Sequence, residues 1–294
     1  MKTYNISCGR HSLELGAQTR IMGIVNVTPD SFSDGGNFFS YDAAVTHGEK
    51  LVADGADILD IGGESSRPFS EPVSADEELR RVLPVIEKLV DSTSVPISID
   101  TTKAVVARKA IESGASIIND ISALRIDPGM PAVAVEYGVP IIMMHMLGTP
   151  KTMQVSPEYD DVIEDIKTFL EAAKNRAENA GILREKIIID PGIGFGKTVD
   201  HNLLLIHHLR EFSTLGVPVL IGPSRKAFIR NILKDPSAKD IQPDLPMVET
   251  GTQAAIAAAV LNGAHIVRTH NVANTRVTVD IIDAIKNSQS ASLP

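Results

Sequence analysis

Short apolar segments alternate with polar loops and helix-like segments along most of the chain. The apolar segments are rich in β-branched residues and apolar on both faces, as expected for parallel strands that are buried on both sides. The predicted strands are Ile21–Val25, Ile58–Ile61, Pro96–Asp100, Ser116–Asn119, Pro140–Met144, Lys186–Asp190, Pro218–Ile221 and His265–Arg268. About eight strand–helix units in 294 residues predict an α/β fold, a (β/α)8 TIM barrel, in a single domain spanning 1–294. A doubly wound open sheet is the alternative, but the pattern shows no clear switch point.

Helical segments separate the predicted strands. The sequence Ser74-Ala75-Asp76-Glu77 has the form of a capping box and predicts a helix that runs to about Val90. Apolar residues at helical spacing, followed by Gly181, predict a helix between Tyr159 and Ala180. Further helices are predicted at Asn202–Leu215, Lys226–Leu233, Thr252–Leu261 and Val277–Ile285.

The chain ends and one internal segment depart from this alternation. Residues 1–19 alternate between polar and apolar positions and predict an N-terminal β-hairpin that covers one end of the barrel. Residues 234–247 are rich in Asp, Pro and Lys and predict one long surface connection. Residues 288–294 are expected to form a frayed tail.

Composition narrows the classes of function. The chain is 43% hydrophobic and 22% charged, which is usual for a globular protein. A formal net charge of -9 disfavours a general binder of nucleic acids or anionic membranes. The single cysteine, Cys8, excludes a disulfide framework and a zinc site built from cysteines. The sequence has neither the apolar region of a signal peptide nor a membrane-spanning run, so a cytoplasmic location is expected.

Polar side chains occur at almost every predicted strand end, which is where TIM barrels build their active sites. One group consists of Asp100, Asn119, Asp190 and Lys226. Its carboxylates, amide and ammonium match a flat heterocycle with many donors and acceptors, such as a guanine or a pterin. Met144 and Phe195 are either apolar walls of that site or ordinary barrel core. A single polar strand end can be a helix cap, but a whole ring of them is hard to explain without a ligand.

A second group is cationic and contains Arg67, Arg268 and His270, with the amide of Asn26. These residues suit a phosphate or diphosphate, with a hard cation on the Asn26 oxygen. Lys226 has a less favoured alternative as a Schiff-base lysine of an aldolase, because it follows a strand rather than lying on it. The glycine-rich segment 191–197 has the spacing of neither a dinucleotide-binding motif nor a P-loop.

Several of these segments together resemble the signatures of the dihydropteroate synthases. In the order of that family, they are Asn26–Gly36, Gly62–Pro68, Ile118–Ile121, Met144–Met146, Asp190–Lys197, Ser224–Lys226 and Arg268–His270. The resemblance extends from about Ile21 to Ile285. It implies a transferase that condenses p-aminobenzoate with 6-hydroxymethyl-7,8-dihydropterin diphosphate, giving 7,8-dihydropteroate and pyrophosphate in folate biosynthesis.

The resemblance also implies roles for individual residues. The pterin ring would be held by Asp100, Asn119, Asp190 and Lys226 and lined by Met144 and Phe195. The diphosphate would be bound by Arg268, His270 and Asn26, of which Arg268 also covers the pterin and Asn26 is a Mg²⁺ ligand. The closing loops would supply Ser66 and Arg67 for substrate contact and Phe32 and Pro68 for the p-aminobenzoate pocket. The expected catalytic residues are Asp100, Lys226, Arg268 and His270.

The implied mechanism is an SN1-like substitution assisted by Mg²⁺. The resemblance also implies a homodimer, and sulfonamides should compete with p-aminobenzoate at its pocket. Two positions depart from the family pattern: Ser66 replaces the usual threonine, and Ala227 replaces a frequent serine near the p-aminobenzoate carboxylate. Two other functions compete with this interpretation. One is a pterin-binding methyltransferase of the same superfamily, and the other is a non-catalytic pterin-binding homologue.

Overall fold

The computed structural model describes residues 2–28, 37–65, 70–149, 151–155 and 157–288, with only the backbone for 37–40. Its first two strands form an antiparallel hairpin, and the remaining strands form one parallel sheet. The hairpin strands are β1 (Tyr4–Cys8) and β2 (His11–Leu15). The sheet strands are β3 (Arg20–Asn26), β4 (Ile58–Gly62), β5 (Ile97–Asp100), β6 (Ile117–Asp120), β7 (Ile141–Met144), β8 (Ile187–Asp190), β9 (Leu220–Ile221) and β10 (Ile266–Thr269).

The eight-stranded sheet closes into the predicted TIM barrel. Its strand order is β8-β7-β6-β5-β4-β3-β10-β9, and a parallel bridge between Ile189 and Val219 joins the two ends of that order. Strands that alternate with helices become buried on both faces, which is why β8 consists of three isoleucines before its terminal Asp190. β9 has only two residues, so the predicted strand 218–221 is shorter than expected.

The N-terminal hairpin covers the amino-terminal end of the barrel, as predicted. Ile6 and Leu13 of the hairpin are buried in a cluster with inward-facing residues near the strand starts. The barrel members of this cluster are Met22, Ile58, Ile117, Ile142, Ile188, Leu220 and Ile266. Because this end is filled with apolar side chains, a ligand site has to lie at the opposite, carboxyl-terminal end of the strands.

Helices surround the barrel. They are α1 (Asn37–Ala53), α2 (Ala75–Ser92), α3 (Ala104–Glu112), α4 (Met130–Tyr137), α5 (Val162–Asn179), α6 (Val199–His207), α7 (Ala227–Leu233), α8 (Pro246–Leu261) and α9 (Val272–Ser288). Ser74 caps α2 by accepting a hydrogen bond from the Glu77 backbone N–H at 3.3 Å. The Glu77 carboxylate binds Arg80 and Arg81, so only half of the predicted capping box forms. Within the described ranges, no helix combines the length and apolarity needed to cross a bilayer.

Two predicted helices have different boundaries in the structure. The segment predicted as one helix over 202–215 divides into α6, which ends at His207, and a 3₁₀ turn at Leu209–Leu215. α8 begins at Pro246, six residues before the predicted start at Thr252. Proline favours the first turn of a helix, because the missing N–H has no helical partner there. The surface connection before α8 is correspondingly shorter than predicted, and residues 289–294 of the predicted tail lie outside the described part.

Candidate active site

The carboxyl ends of the barrel strands bring together most of the predicted site residues. The sheet register pairs Asp100 with Gly62 on one side and with Asn119 on the other. It also pairs Met144 with Asp190. Residues that are far apart in the chain therefore lie side by side at one edge of the sheet, as parallel pairing requires.

A buried network of polar side chains lies inside this end of the barrel. Arg268 donates from Nε to Asp60 Oδ2 at 2.6 Å and from Nη2 to Asp100 Oδ2 at 2.8 Å. Asn119 Nδ2 donates to the same Asp60 oxygen at 3.1 Å. The other Asp60 oxygen, Oδ1, is buried and has no hydrogen-bond partner among the described residues. The network thus joins four strands and holds one guanidinium between two carboxylates.

The partners of Arg268 differ from the predicted grouping. The residue types place Arg268 with His270 around a diphosphate, but the structure places its guanidinium on Asp60 and Asp100. His270 lies elsewhere, with its Nδ1 2.9 Å from the hydroxyl oxygen of Ser224. Inward-facing side chains meet across the barrel, and the order of residue types along the chain does not show which of them meet.

Asp60 belongs to this network but was not predicted from the sequence. It lies in the middle of β4 and is completely buried, with 0% exposure. A signal for it was present, because a charged residue inside an apolar strand needs a buried partner. Because Asp60 does not stand at a strand end, the pattern of polar strand ends does not include it.

Asp190, Lys226 and Phe195 form another part of the site. Lys226 Nζ lies 3.8 Å from the centroid of the Phe195 ring, in a cation–π contact. Asp190 Oδ1 accepts a hydrogen bond from the Gly192 backbone N–H at 2.7 Å. Phe195 belongs with Met144 to a small apolar cluster that is separate from the main core. Apolar side chains beside polar strand ends are suited to form the walls of a ligand site, as predicted for Met144 and Phe195.

Burial shifts the ionisable groups of the site toward neutral forms. It raises the pKa of Asp190 to about 6. Burial and the neighbouring Asp60 raise the pKa of Asp100 to about 7. Burial and Arg268 lower the pKa of Lys226 to about 7. For Arg268 itself, burial is outweighed by Asp60 and Asp100, which raise its pKa. Shifted pKa values of this kind are common among the ionisable groups of functional sites.

Asp120 also ends a strand, but its role is structural. Its Oδ1 accepts from the Ser122 N–H and its Oδ2 from the Leu124 N–H, both at 2.8 Å. These bonds support a turn in which Ala123 and Leu124 have φ of 52° and 64°, in the left-handed region. The explanation of a polar strand end as a local cap therefore holds for Asp120. It does not hold for Asn119, whose amide is directed at Asp60.

The glycine-rich turn 191–197 is shaped by close backbone approach. Gly192, Gly194 and Gly196 have φ of 75°, 81° and 66°. A Cβ atom on Gly192 would lie 1.9 Å from the carbonyl oxygen of His145, so only glycine fits there. The Gly194 N–H donates to Asn202 Oδ1 at 2.7 Å. These glycines allow the close packing of the turn. This agrees with the spacing of segment 191–197, which does not match a P-loop.

Asn26 ends β3, where the register pairs it with Gly62. Among the described residues, no group of three or more His, Cys, Asp or Glu side chains is placed to hold a metal ion. Mg²⁺ accepts oxygen ligands, keeps several waters and commonly binds through substrate phosphates. The single amide oxygen of Asn26 therefore fits a Mg²⁺ ion that takes its other ligands from a diphosphate and water.

Four predicted site residues lie outside the described residues: Phe32, Ser66, Arg67 and Pro68. In the sequence they fall between β3 and α1 and between β4 and α2. Their assignment to the p-aminobenzoate pocket stays a prediction.

Comparison with known proteins identifies the family. The model of the pterin-binding enzyme family matches residues 22–270. The dihydropteroate synthase of Synechocystis sp. is 44% identical over 277 residues, which cover 94% of this chain and 93% of that protein. A structure of Xanthomonas albilineans dihydropteroate synthase with 4-aminobenzoic acid has a TM-score of 0.88 and 42% identity and covers 100% of both chains. The Yersinia pestis dihydropteroate synthase in a sulfonamide drug complex has a TM-score of 0.88 and 40% identity, covering 97% of this chain and 99% of that one. With this fold and these strand-end residues, the chain belongs to the pterin-binding enzymes and, among them, to the dihydropteroate synthase family of transferases.

Proposed function

We propose that the chain condenses p-aminobenzoate with 6-hydroxymethyl-7,8-dihydropterin diphosphate, producing 7,8-dihydropteroate and pyrophosphate. The observation that carries the proposal is the set of acceptors and donors at the strand ends. It is formed by Asn119 and Asp190, which are buried, and by Asp100 and Lys226, which are partly exposed. A pterin edge offers an amino group and ring N–H groups to the carboxylates, and its carbonyl accepts from a lysine. Because polar groups that a ligand removes from water need hydrogen-bonding partners on that ligand, a ligand with this complementary pattern is favoured.

The reaction replaces a C–O bond by a C–N bond. The aniline nitrogen of p-aminobenzoate attacks the exocyclic methylene carbon, pyrophosphate leaves with the electrons of the C–O bond, and the nitrogen loses a proton. No protein nucleophile is needed. We propose that C–O cleavage precedes attack, so that positive charge develops on the methylene and spreads into the dihydropterin ring. The Asp100 carboxylate, held by Arg268, is the group that stabilises this charge.

The leaving diphosphate is assigned to residues on β3 and β10, which are adjacent strands. Asn26 is the last residue of β3, and His270 directly follows β10. Lys226 and Arg268 supply cationic charge to the site. Mg²⁺, when bound with the diphosphate, neutralises charge on the leaving group. The family's p-aminobenzoate site, seen in the Xanthomonas albilineans relative, is assigned to the loops that carry Phe32 and Pro68.

The proposed function is tested by release of pyrophosphate from the pterin diphosphate. Release that requires both p-aminobenzoate and Mg²⁺ supports it, and mass spectrometry should then detect 7,8-dihydropteroate. Transfer of a methyl group from a reduced folate to a corrinoid, without use of p-aminobenzoate, would instead support the methyltransferase alternative. Pterin binding without turnover under any of these conditions would support a non-catalytic homologue.

We also propose that the protein forms a homodimer through its barrel helices. On α9, Val277, Ile281 and Ile285 are 66%, 59% and 50% exposed. They are spaced four residues apart, so they lie on one face of the helix. A stripe of exposed apolar side chains favours burial against a second subunit.

A further inference from the structure

Lys197 lies at the end of the glycine-rich turn and is buried, with 4% exposure. Its Nζ donates to the Phe195 carbonyl oxygen at 3.0 Å and lies 3.0 Å from His145 Nδ1. A buried ammonium is costly unless partners compensate it. Both partners belong to segments that build the proposed site, the glycine-rich turn and the residue that follows β7.

The bond to the Phe195 carbonyl affects the shape of the turn. Glycines at three positions leave the backbone of 191–197 with little intrinsic rigidity. Side chains from outside the turn hold it instead: Gln154 donates to the Gly194 carbonyl at 2.8 Å, and Tyr159 to the Gly196 carbonyl at 2.7 Å. Lys197 holds the carbonyl between these two. Its bond therefore sets the position of the Phe195 ring, which contacts Lys226.

The charge of Lys197 affects the Asp190 carboxylate. Three cations influence Asp190: Lys197 in the same turn, Lys226 after β9, and Arg268 on β10. All three lower its pKa, Lys197 most strongly, and they oppose the larger effect of burial. Burial also lowers the pKa of Lys197 to about 7, with Asp190 opposing this shift and Lys226 adding to it. Burial and Lys197 lower the pKa of His145 to about 2, so His145 is a neutral acceptor.

We infer that Lys197 is a positioning residue for pterin recognition: its bond to the Phe195 carbonyl orients Phe195, and Lys197 itself does not touch the ligand. This inference rests on the proposed pterin-binding function. Lys197 would then be a cation of the site that does not itself contact the ligand. Lys226 and Arg268 then remain available to the pterin and the diphosphate.

Three variants separate this role from general stabilisation. Lys197→Met keeps the length of the side chain but removes its charge and its donor. Lys197→Gln removes the charge but keeps a donor for the Phe195 carbonyl. Lys174→Met is the matched control, because Lys174 is also buried, at 5% exposure, and donates to the Leu215 carbonyl at 3.2 Å from the outer helix α5. Affinity for the pterin diphosphate is measured by calorimetry from pH 5 to 9 at constant Mg²⁺, with circular dichroism to verify folding.

Lys197→Met should weaken pterin binding at pH 7 by about tenfold or more, as loss of a charged hydrogen-bonding group predicts. The pH at which affinity is half lost on the acid side should rise by about one unit in both Lys197 variants, because Asp190 loses its strongest cationic neighbour. Lys174→Met should change neither quantity. Lys197→Gln, whose donor is neutral and one bond shorter, should lose less affinity than Lys197→Met but should not match wild type. A folded Lys197→Met with wild-type affinity would overturn the inference. If Lys197→Met does not fold, wild-type affinity and an unshifted midpoint in Lys197→Gln would overturn it. A wild-type protein that binds no pterin would instead refute the proposed function.

Discussion

Replacing Asp100 by asparagine tests the proposed origin of catalysis. The substitution keeps the shape of the side chain and its place beside Arg268, but it removes the negative charge. Arg268 retains its 2.6 Å bond to Asp60, so the guanidinium is not left without a carboxylate. The change therefore isolates the charge of Asp100 from the rest of the network.

The effect on stability is expected to be small, because two contributions oppose each other. The Arg268–Asp100 bond at 2.8 Å is charge-assisted, and its weakening costs about 1.5–3 kcal/mol. However, burial and Asp60 raise the pKa of Asp100 to about 7, so its ionised form is already disfavoured in the folded protein even with the Arg268 bond in place. A neutral amide removes that penalty. We expect the free energy of unfolding at pH 8 to change by less than about 2 kcal/mol.

The effect on turnover is expected to be large. A carboxylate about 5 Å from a developing positive charge stabilises it by about 3 kcal/mol at an effective dielectric constant of about 20. Loss of that stabilisation lowers kcat by about 100-fold. The loss should appear in kcat at saturating substrates, since the charge develops only as the C–O bond breaks.

The assay is steady-state release of pyrophosphate at pH 8, together with thermal unfolding of the same preparations. Asp120→Asn is the control. That change weakens an acceptor of two backbone N–H bonds, so it should lower Tm while leaving kcat within about twofold of wild type. If Asp100→Asn turned over within about threefold of wild type at saturating substrates, the proposed role of Asp100 would be wrong.

Three further predictions concern pH, the p-aminobenzoate pocket and assembly. Pterin affinity should fall as the pH is lowered from 8 to 5, because Asp190 and Asp100, with pKa of about 6 and about 7, take up protons and lose acceptor capacity. Calorimetry at fixed Mg²⁺ measures this affinity, and an affinity that does not change with pH would contradict the prediction. Phe32→Ala should raise the KM for p-aminobenzoate by about tenfold while changing pterin affinity little, and equal losses would refute the pocket assignment. If the proposed dimer forms through α9, Ile281→Lys should convert it to monomer in light scattering, whereas Glu171→Lys, on the exposed side of α5, should not.

Most of the fold could be predicted from the sequence. Parallel strands buried on both faces need apolar residues at every position, so the runs at Ile58–Ile61 and Lys186–Asp190 were visible without any structure. The hairpin over 1–19 was predicted from alternation alone. The helix over 202–215 was not predicted correctly, because apolar spacing does not distinguish a continuous α-helix from one that ends in a 3₁₀ turn.

The candidate site was predicted in part, for a related reason. Asp100, Asn119 and Asp190 were predicted because a polar residue at the end of an apolar run is a local signal. Asp60 and Lys197 were not chosen, since one lies within a strand and the other closes a turn. Their importance depends on partners far away in the chain, Arg268 for Asp60 and His145 for Lys197.

The sequence by itself determined which residues stand at the ends of the strands, and so the chemical character of the site. Only the tertiary structure decided how those residues pair. The residue types grouped Arg268 with His270, but barrel closure brings its guanidinium to Asp60 and Asp100. Local patterns arise from the period of one strand or helix, whereas the pairing of buried charges depends on sheet register and on burial, which exist only once the whole chain has folded.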